Sequence, residues 1–536
     1  MDAALPPLIQ RMLQPEFYPH SVQIPVQLIQ THISYVFLTG DFAYKVKKAT
    51  QFGFLDFTTL EQRAYFCQEE LRLNRRLSPD LYLAVLPIYQ GEDFYLDAPP
   101  HPQAQIVDYA LQMRQFSQDG LFSRLLQQGQ LSADHLQKLG QLVAQFHGTA
   151  ATDPAIEANG TPDAINTVDE DNYTLAKDYI GQSLTLDQWQ QTRTFTQQFW
   201  HDHQDWLYQR LAQGKIRECH GDLHLNNVCL EQEQIHIFDC IEFCCEFRNI
   251  DVIYDIAFMV MDLDFHHRSD LANIFLNTYL ESTGDYEGAL LLPAYLSMRA
   301  TIRGNVNSMT AKTTTIFSDP TKPITPAEQA SVWQQAQDYF LLASRYAQPQ
   351  SGQIVVMSGL SGSGKSTVAH DLARQLNGIH IRSDAVRKHL AGIPLTQSGA
   401  GERDIYTLEM TQKTYQRLAD LGLSLAKIGW TVILDAKYDQ VGLRAEVLTQ
   451  AALADIPVQI LYCTAPIKVL RSRLHNRQGD ISDATATLLM TQRRNFQPFT
   501  PDEKTKLTQL STDQDRAAQL TTFCKQLAKI DNVRLI

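Results

Sequence analysis

Between an apolar run, Gln353–Ser358, and a helix-forming stretch, the chain carries Gly359-Leu-Ser-Gly-Ser-Gly364-Lys365-Ser366. This Gly-x4-Gly-Lys-Ser pattern limits the fold more than any other segment does. Its glycines permit a turn tight enough for successive backbone N–H groups to converge, and the helix that follows aims its positive end at the same point. Such a cradle for phosphate forms where a buried strand runs straight into a helix. The reading assigns the cradle to Gly359, Ser361, Gly362, Ser363, Gly364 and Thr367. Lys365 is placed to reach the terminal phosphates and Ser366 to ligate magnesium.

About 140 residues upstream stands a second segment of related chemistry, His220-Gly-Asp222-Leu-His-Leu-Asn-Asn227, followed by Asp239 in Ile-Phe-Asp-Cys. Phosphoryl transfer to an alcohol needs a group for the acceptor proton, metal ligands, and a cation on the donor phosphates. Asp222 suits the first role. Asn227 and Asp239 offer the hard oxygens magnesium prefers. The cation is expected on an earlier strand, Ala43-Tyr-Lys45-Val-Lys47, with Lys45 paired to Glu70 of the next helix. His220 and Asp255 are read as braces of the loop.

Downstream of Ser366, Arg382-Ser-Asp384-Ala-Val-Arg387 follows a second strand, so Asp384 is placed to orient an acceptor hydroxyl and Arg387 an anionic part of it. Thr431–Asp435 ends a buried strand, with Asp435 directed at the metal. Arg471, Arg473 and Arg477 lie on a helix that reads as a lid, Arg473 and Arg477 supplying charge to the transition state.

The 536 residues are 44% hydrophobic with a net charge of −13, which disfavours a protein that coats nucleic acid or anionic membrane. A nucleic-acid end as acceptor stays open; the expected partner is a small molecule. No run of 18 apolar residues and no signal-like N-terminus occur. Five of eight cysteines fall between Cys219 and Cys245 without paired zinc spacing, and read as core fillers in a reducing compartment. The expected location is the cytoplasm.

Alternating residues predict a hairpin over 33–48 and strands at Val85–Tyr89 and Phe94–Leu96, with a helix over 59–77. From about 105 onward the pattern reads as mostly helical, 150–175 as a surface loop, and Gln348–Gly352 as a linker. Strands and helices then alternate in the manner of a parallel sheet.

The set His-Gly-Asp-Leu-His-x-x-Asn, Asp239 and Tyr254-Asp255-Ile-Ala resembles the aminoglycoside phosphotransferase and choline kinase branch of the protein-kinase-like fold, over roughly residues 25–345. Cys240 departs from the Trp or Phe usual there, and no aminoglycoside signature is present. The segment running through Gly359, Asp384, Leu-Asp435-Ala and Ser482-Asp483-Ala484 resembles the small-molecule or polynucleotide kinase group of P-loop proteins. The absence of Asn-Lys-x-Asp disfavours a GTPase. The whole chain resembles a bifunctional fusion of the two, the second part an AAA-type predicted kinase.

That resemblance implies an α+β protein-kinase-like domain over 1–347, with a small lobe near 24–100 and a helical lobe at 101–347. A linker at 348–352 and an α/β P-loop domain with a parallel sheet over 353–536 follow. It implies ATP and magnesium, and transfer of the γ-phosphate to hydroxyl acceptors at two sites. Two alternatives stand beside it: a P-loop kinase regulated by an ATP-binding pseudokinase, and an ATP-driven switch acting through a partner protein.

Overall fold

The computed structural model describes residues 5–31, 33–53, 55–98, 102–312, 315–316, 319–323, 325–397, 405–476, 481 and 489–531. The chain forms two compact units. One comprises Met1–Leu131, Gln145–Phe265 and Ala294–Ala347; the other comprises Ser132–Ala144, His266–Pro293 and Gln348–Ile536.

The first unit holds an antiparallel sheet of six strands in the spatial order Gln27–Gln30, Ser34–Leu38, Phe42–Lys47, Gln105–Arg114, Tyr82–Gln90, Phe94–Leu96. The helix Leu60–Asn74 starts at a capping box between Thr59 and Gln62, which satisfies two N–H groups at its open end. Gln105–Arg114 corrects the helical reading from 105 onward. Its β-branched and aromatic residues suit a strand, and both its edges pair, with Phe42–Lys47 and with Tyr82–Gln90.

The surface-loop reading of 150–175 is corrected too. Asp153 and Thr161 cap the helices Pro154–Glu157 and Pro162–Ala176, each with proline in its first turn. A capping side chain followed by proline is a helix-start signal, outweighed in the sequence by the glycine and proline content. Cys219, Cys229 and Cys240 are buried, whereas Cys244 is half-buried and Cys245 exposed, so the core-filler reading holds for only part of that cluster.

Pro162–Ala176 buries Asp169, which is 2% exposed. Burial pushes its carboxyl up to about 7, against the Thr196 hydroxyl. The unfolded chain gives up this proton near pH 4 and the folded chain near pH 7, so the group lowers stability as pH rises through that window. Asp169→Asn is expected to flatten the dependence and to stabilise the first unit at pH 8 by as much as about 4 kcal/mol. Urea unfolding at pH 5 and pH 8 checks this; an equal gain at both would sink it.

In the second unit five parallel strands lie in the order Ile379–Arg382, Thr431–Asp435, Gln353–Ser358, Val458–Thr464, Leu507–Ser511. The inner strands Thr431–Asp435, Gln353–Ser358 and Val458–Thr464 are rich in buried apolar residues, as strands covered on both faces must be, whereas the edge strand Leu507–Ser511 buries only Leu510. The open edge of Ile379–Arg382 is covered by asparagines of the helix Ser269–Thr283. Asn273 and Asn277 donate to Gly378 O at 2.9 and 3.0 Å, and Asn277 Oδ1 accepts from His380 N at 2.7 Å. Among the described residues, no helix is long and apolar enough to cross a membrane.

Candidate active sites

The first site begins on the strand Phe42–Lys47, where Lys45 and Lys47 share a face because strand side chains alternate. Lys45 Nζ donates to Glu70 Oε1 at 2.7 Å and to Asp239 Oδ1 at 2.8 Å. The antiparallel pair Val228–Glu231 and Gln234–Ile237 carries the chain from Asn227 back toward Asp239. Asp239 stands at φ 63°, a left-handed conformation that Asp tolerates better than most residues, and Tyr82 Oη accepts its backbone N–H at 3.1 Å.

Asp222, Asn227 and their braces form one knot. Asn227 Nδ2 donates to Asp222 Oδ2 and to Asp222 O, both at 3.0 Å. His220 Nε2 lies 3.0 Å from Phe238 O. Asp255 accepts from the backbone N–H of His220 at 3.1 Å and of Gly221 at 2.8 Å, and sits 3.0 Å from His147 Nε2. Gly221, at φ +86°, admits no side chain, since a Cβ would stand 2.7 Å from Phe247 O. His147, Cys219 and Asp255 also bring ligand atoms within 4.8 Å of one another. Asp255 gives both its oxygens to the loop and to His147, so hydrogen bonds already account for the trio.

The second site sits at the C-terminal edge of the parallel sheet. Register pairs Met357 with Asp435 and with Leu461, and Arg382 with Asp435, so the strand ends align. The glycine-rich turn leaves the central strand beside the point where strand order reverses, the usual place for a ligand in such sheets. Gly359, Gly362 and Gly364 have φ of +141°, +79° and +82°. A Cβ on Gly359 would stand 2.4 Å from Cys463 O, and one on Gly362 2.9 Å from Leu470 O. Ser361 and Ser363 are buried, Ser366 is half-buried and Thr367 exposed in the first turn of the helix Lys365–Leu376. Lys365 Nζ lies 3.4 Å from Leu360 O.

Two family models match this chain. One is the phosphotransferase enzyme family, over residues 67–292; the other is an AAA domain, over residues 354–499. The chain joins a phosphotransferase-family domain to a P-loop domain of the AAA type. A Mycobacterium tuberculosis protein bearing the name uncharacterized is 27% identical over 465 residues, covering 86% of this chain and 88% of that one. A choline/ethanolamine kinase family protein from Mesorhizobium loti aligns with 63% of this chain and 98% of its own, at 11% identity and TM-score 0.36. The Mycobacterium tuberculosis APS kinase in complex with AMPPNP and APS aligns with 33% of this chain and 99% of its own, at 23% identity and TM-score 0.26.

Electrostatics set the protonation states of the phosphotransferase domain. Burial opposes charge on Lys45, but Asp239 and Glu70 outweigh it and hold the ammonium protonated well above the usual lysine range. Burial also opposes charge on Glu70, and Lys45 and Lys47 together hold it down at about 2. Asp222 lies well below the usual carboxylate range because His224, Arg303 and His220 overcome its burial. It is therefore ionised near neutral pH and acts as a hydrogen-bond acceptor. The donor set fits magnesium: Asn227 gives its amide nitrogen to Asp222, and its oxygen, with the half-exposed carboxylate of Asp239, supplies hard oxygens.

The P-loop domain fits a phosphate chain on independent grounds. Ser363 Oγ is buried without a hydrogen-bond partner, and Ser361 N–H is held by the Gln492 side chain at 3.1 Å. Asp435 is 4% exposed; burial opposes its charge, but His380 at 3.1 Å and the charge of Lys365 hold it at about 2. Arg473 lies over the turn, donating to Gly362 O at 3.4 Å and to Thr512 Oγ1 and O at 2.7 and 2.9 Å. Asp384 is half-buried in the first turn of the helix Ser383–Ala391. Arg387 is buried and donates to Ile405 O and Thr411 Oγ1. Arg471 is exposed. Arg477 and Ser482–Ala484 lie outside the described residues.

Several neighbours escaped the sequence reading. Lys47 Nζ is buried against Glu70 Oε2 at 2.7 Å and against Glu242, so Glu70 is shared by two lysines. His380, the partner of Asp435, had a weak signal as the one titratable residue inside the apolar run Ile379–Ile381. Arg299 and Arg303 carried a clearer one, four apart on a single helix face.

Proposed function

We propose that the chain is an ATP-dependent phosphotransferase with two nucleotide sites, each passing the γ-phosphate to a hydroxyl acceptor. The observation that carries this reading is the meeting of Lys45, Glu70 and Asp239 through two ion pairs in the domain that also ties Asn227 to Asp222. These groups come from a strand, a helix and two loops far apart in sequence. Their chemistry is that of phosphate neutralisation, cation binding and acceptor orientation.

Lys45, fixed by Glu70, would neutralise donor phosphates. Asn227 and Asp239 would hold magnesium, which supplies neutralisation of charge on the phosphate oxygens. Asp222 would accept the acceptor proton while that oxygen bonds to phosphorus and the bridging oxygen of the donor departs with its electron pair. In the P-loop domain the turn Gly359–Gly364 would hold phosphates through backbone N–H groups. Lys365 would reach the terminal phosphates, Ser366 and Asp435 would serve the metal, Asp384 would orient an acceptor, and Arg473 would lend positive charge.

The test is phosphoryl transfer from isotopically labelled ATP with magnesium into a metabolite extract, read by mass spectrometry. Labelled phosphate esters are expected. Steady ADP release without any labelled ester would overturn the reading and favour a switch.

A further inference from the structure

We propose that the cavity beside Asp222 binds an alcohol that carries a carboxylate on a compact apolar body, with Arg299 and Arg303 holding the carboxylate. The proposal rests on reading the first domain as a phosphotransferase and names the chemical class of its acceptor.

The cavity has a volume of about 190 Å³. Its walls include Ile165, Val168, Ile250, Tyr254, Phe258 and Met298, so the occupant's body is apolar. Arg299 and Arg303 line it from the helix Leu292–Lys312. Arg299 is 5% exposed. Its Nε donates to Tyr254 O at 3.1 Å, and its guanidinium lies 3.8 Å from the Tyr254 ring centre and 4.9 Å from that of Phe258. Arg299 Nη2 has no hydrogen-bond partner, and neither has the buried Nε of Arg303, whose guanidinium otherwise meets Tyr339 and the charges of Asp262 and Asp222.

The acids on the same walls are engaged. Asp251 takes a two-pronged bond from Arg210 at 2.7 and 2.8 Å. Asp222 is 3.2 Å from His224 and accepts from Asn227. Glu246 accepts from the Cys244 thiol at 3.1 Å. The buried lining groups left wanting a partner are Arg299 Nη2, Arg303 Nε and the Tyr295 hydroxyl, each able to donate to an acceptor. A buried donor without an acceptor is costly, and a carboxylate supplies acceptors of matching shape and opposite charge. An amine-bearing acceptor would bring like charge to the arginines, and a neutral alcohol would offer acceptors without the opposing charge or the two-oxygen geometry of a carboxylate. In the transfer step the hydroxyl oxygen bonds to the terminal phosphorus, its proton passes to Asp222, and the nucleoside diphosphate leaves with the electrons of the broken bond.

The test uses the full chain and hydroxycarboxylates of four to six carbons, each beside its primary amide and an amino alcohol of equal length. Binding is measured by calorimetry and transfer by mass spectrometry. Some acids are expected to bind at least tenfold tighter than their amides, a preference lost in Arg299→Met and partly restored in Arg299→Lys. Asp222→Asn is expected to keep the binding and lose the transfer. The acid–amide comparison on the native chain needs no variant, so a folding defect in Arg299→Met leaves the test intact. Equal or tighter binding of amides or amino alcohols, or no binding across the panel, overturns the proposal. Acid-selective binding without a phosphate ester from any source would support the anion site while sinking the phosphotransferase reading.

Discussion

Asp222→Asn is expected to lower phosphoryl transfer by the first site about 10²- to 10⁴-fold while leaving the chain folded and the P-loop site active. The exchange keeps shape and removes charge. The native carboxylate is ionised across neutral pH because His224, Arg303 and His220 outweigh its burial. It also fixes Asn227, whose Nδ2 donates to its Oδ2 at 3.0 Å. An amide in its place cannot take up the acceptor proton, but its oxygen can still accept from Asn227 Nδ2. Labelled esters formed from a metabolite extract by the variant, the native chain and Lys365→Ala provide the comparison. Unchanged yield of every ester in Asp222→Asn would show that this carboxylate takes no part.

Lys365→Ala is expected to remove nucleotide binding at the second site and leave the first. Truncating one partner of a buried charge-assisted contact costs about 2–5 kcal/mol, or roughly 30- to 5,000-fold in affinity. The turn keeps its geometry, because the left-handed residues Gly359, Gly362 and Gly364 set it rather than the lysine side chain. Equilibrium dialysis with a non-hydrolysable ATP analogue and magnesium should give two molecules bound per native chain and one per variant chain. A native value of one, or two in the variant, contradicts this assignment. Products that disappear only in Lys365→Ala would belong to the P-loop domain, and those lost only in Asp222→Asn to the phosphotransferase domain.

How much of this could be read in advance differs from segment to segment. The strand–glycine-turn–helix unit at 353–376 is legible because its requirements are local: an apolar strand, glycines at left-handed positions and a helix start. The helix beginning near 60 and the hairpin over 34–47 are legible for the same reason. Gln105–Arg114 was not. Its apolar residues fit either period, and what makes it a strand is its two neighbours in the sheet, Phe42–Lys47 and Tyr82–Gln90. The helix Pro162–Ala176 was missed although Thr161 and Pro162 mark its start, since polar composition outweighed the cap.

The amino-acid sequence by itself determined the two family resemblances and the residues proposed for phosphate chemistry, because motif spacing encodes the local backbone such motifs need. Only the tertiary structure decided which charges meet. Glu70 is bound by Lys45 and by Lys47, Asp435 is held by His380, and Arg299 and Arg303 reach a cavity beside Asp222 with N–H groups unpaired. These pairings join residues from separate elements, and the desolvation that gives each its energetic weight exists only once the chain has packed.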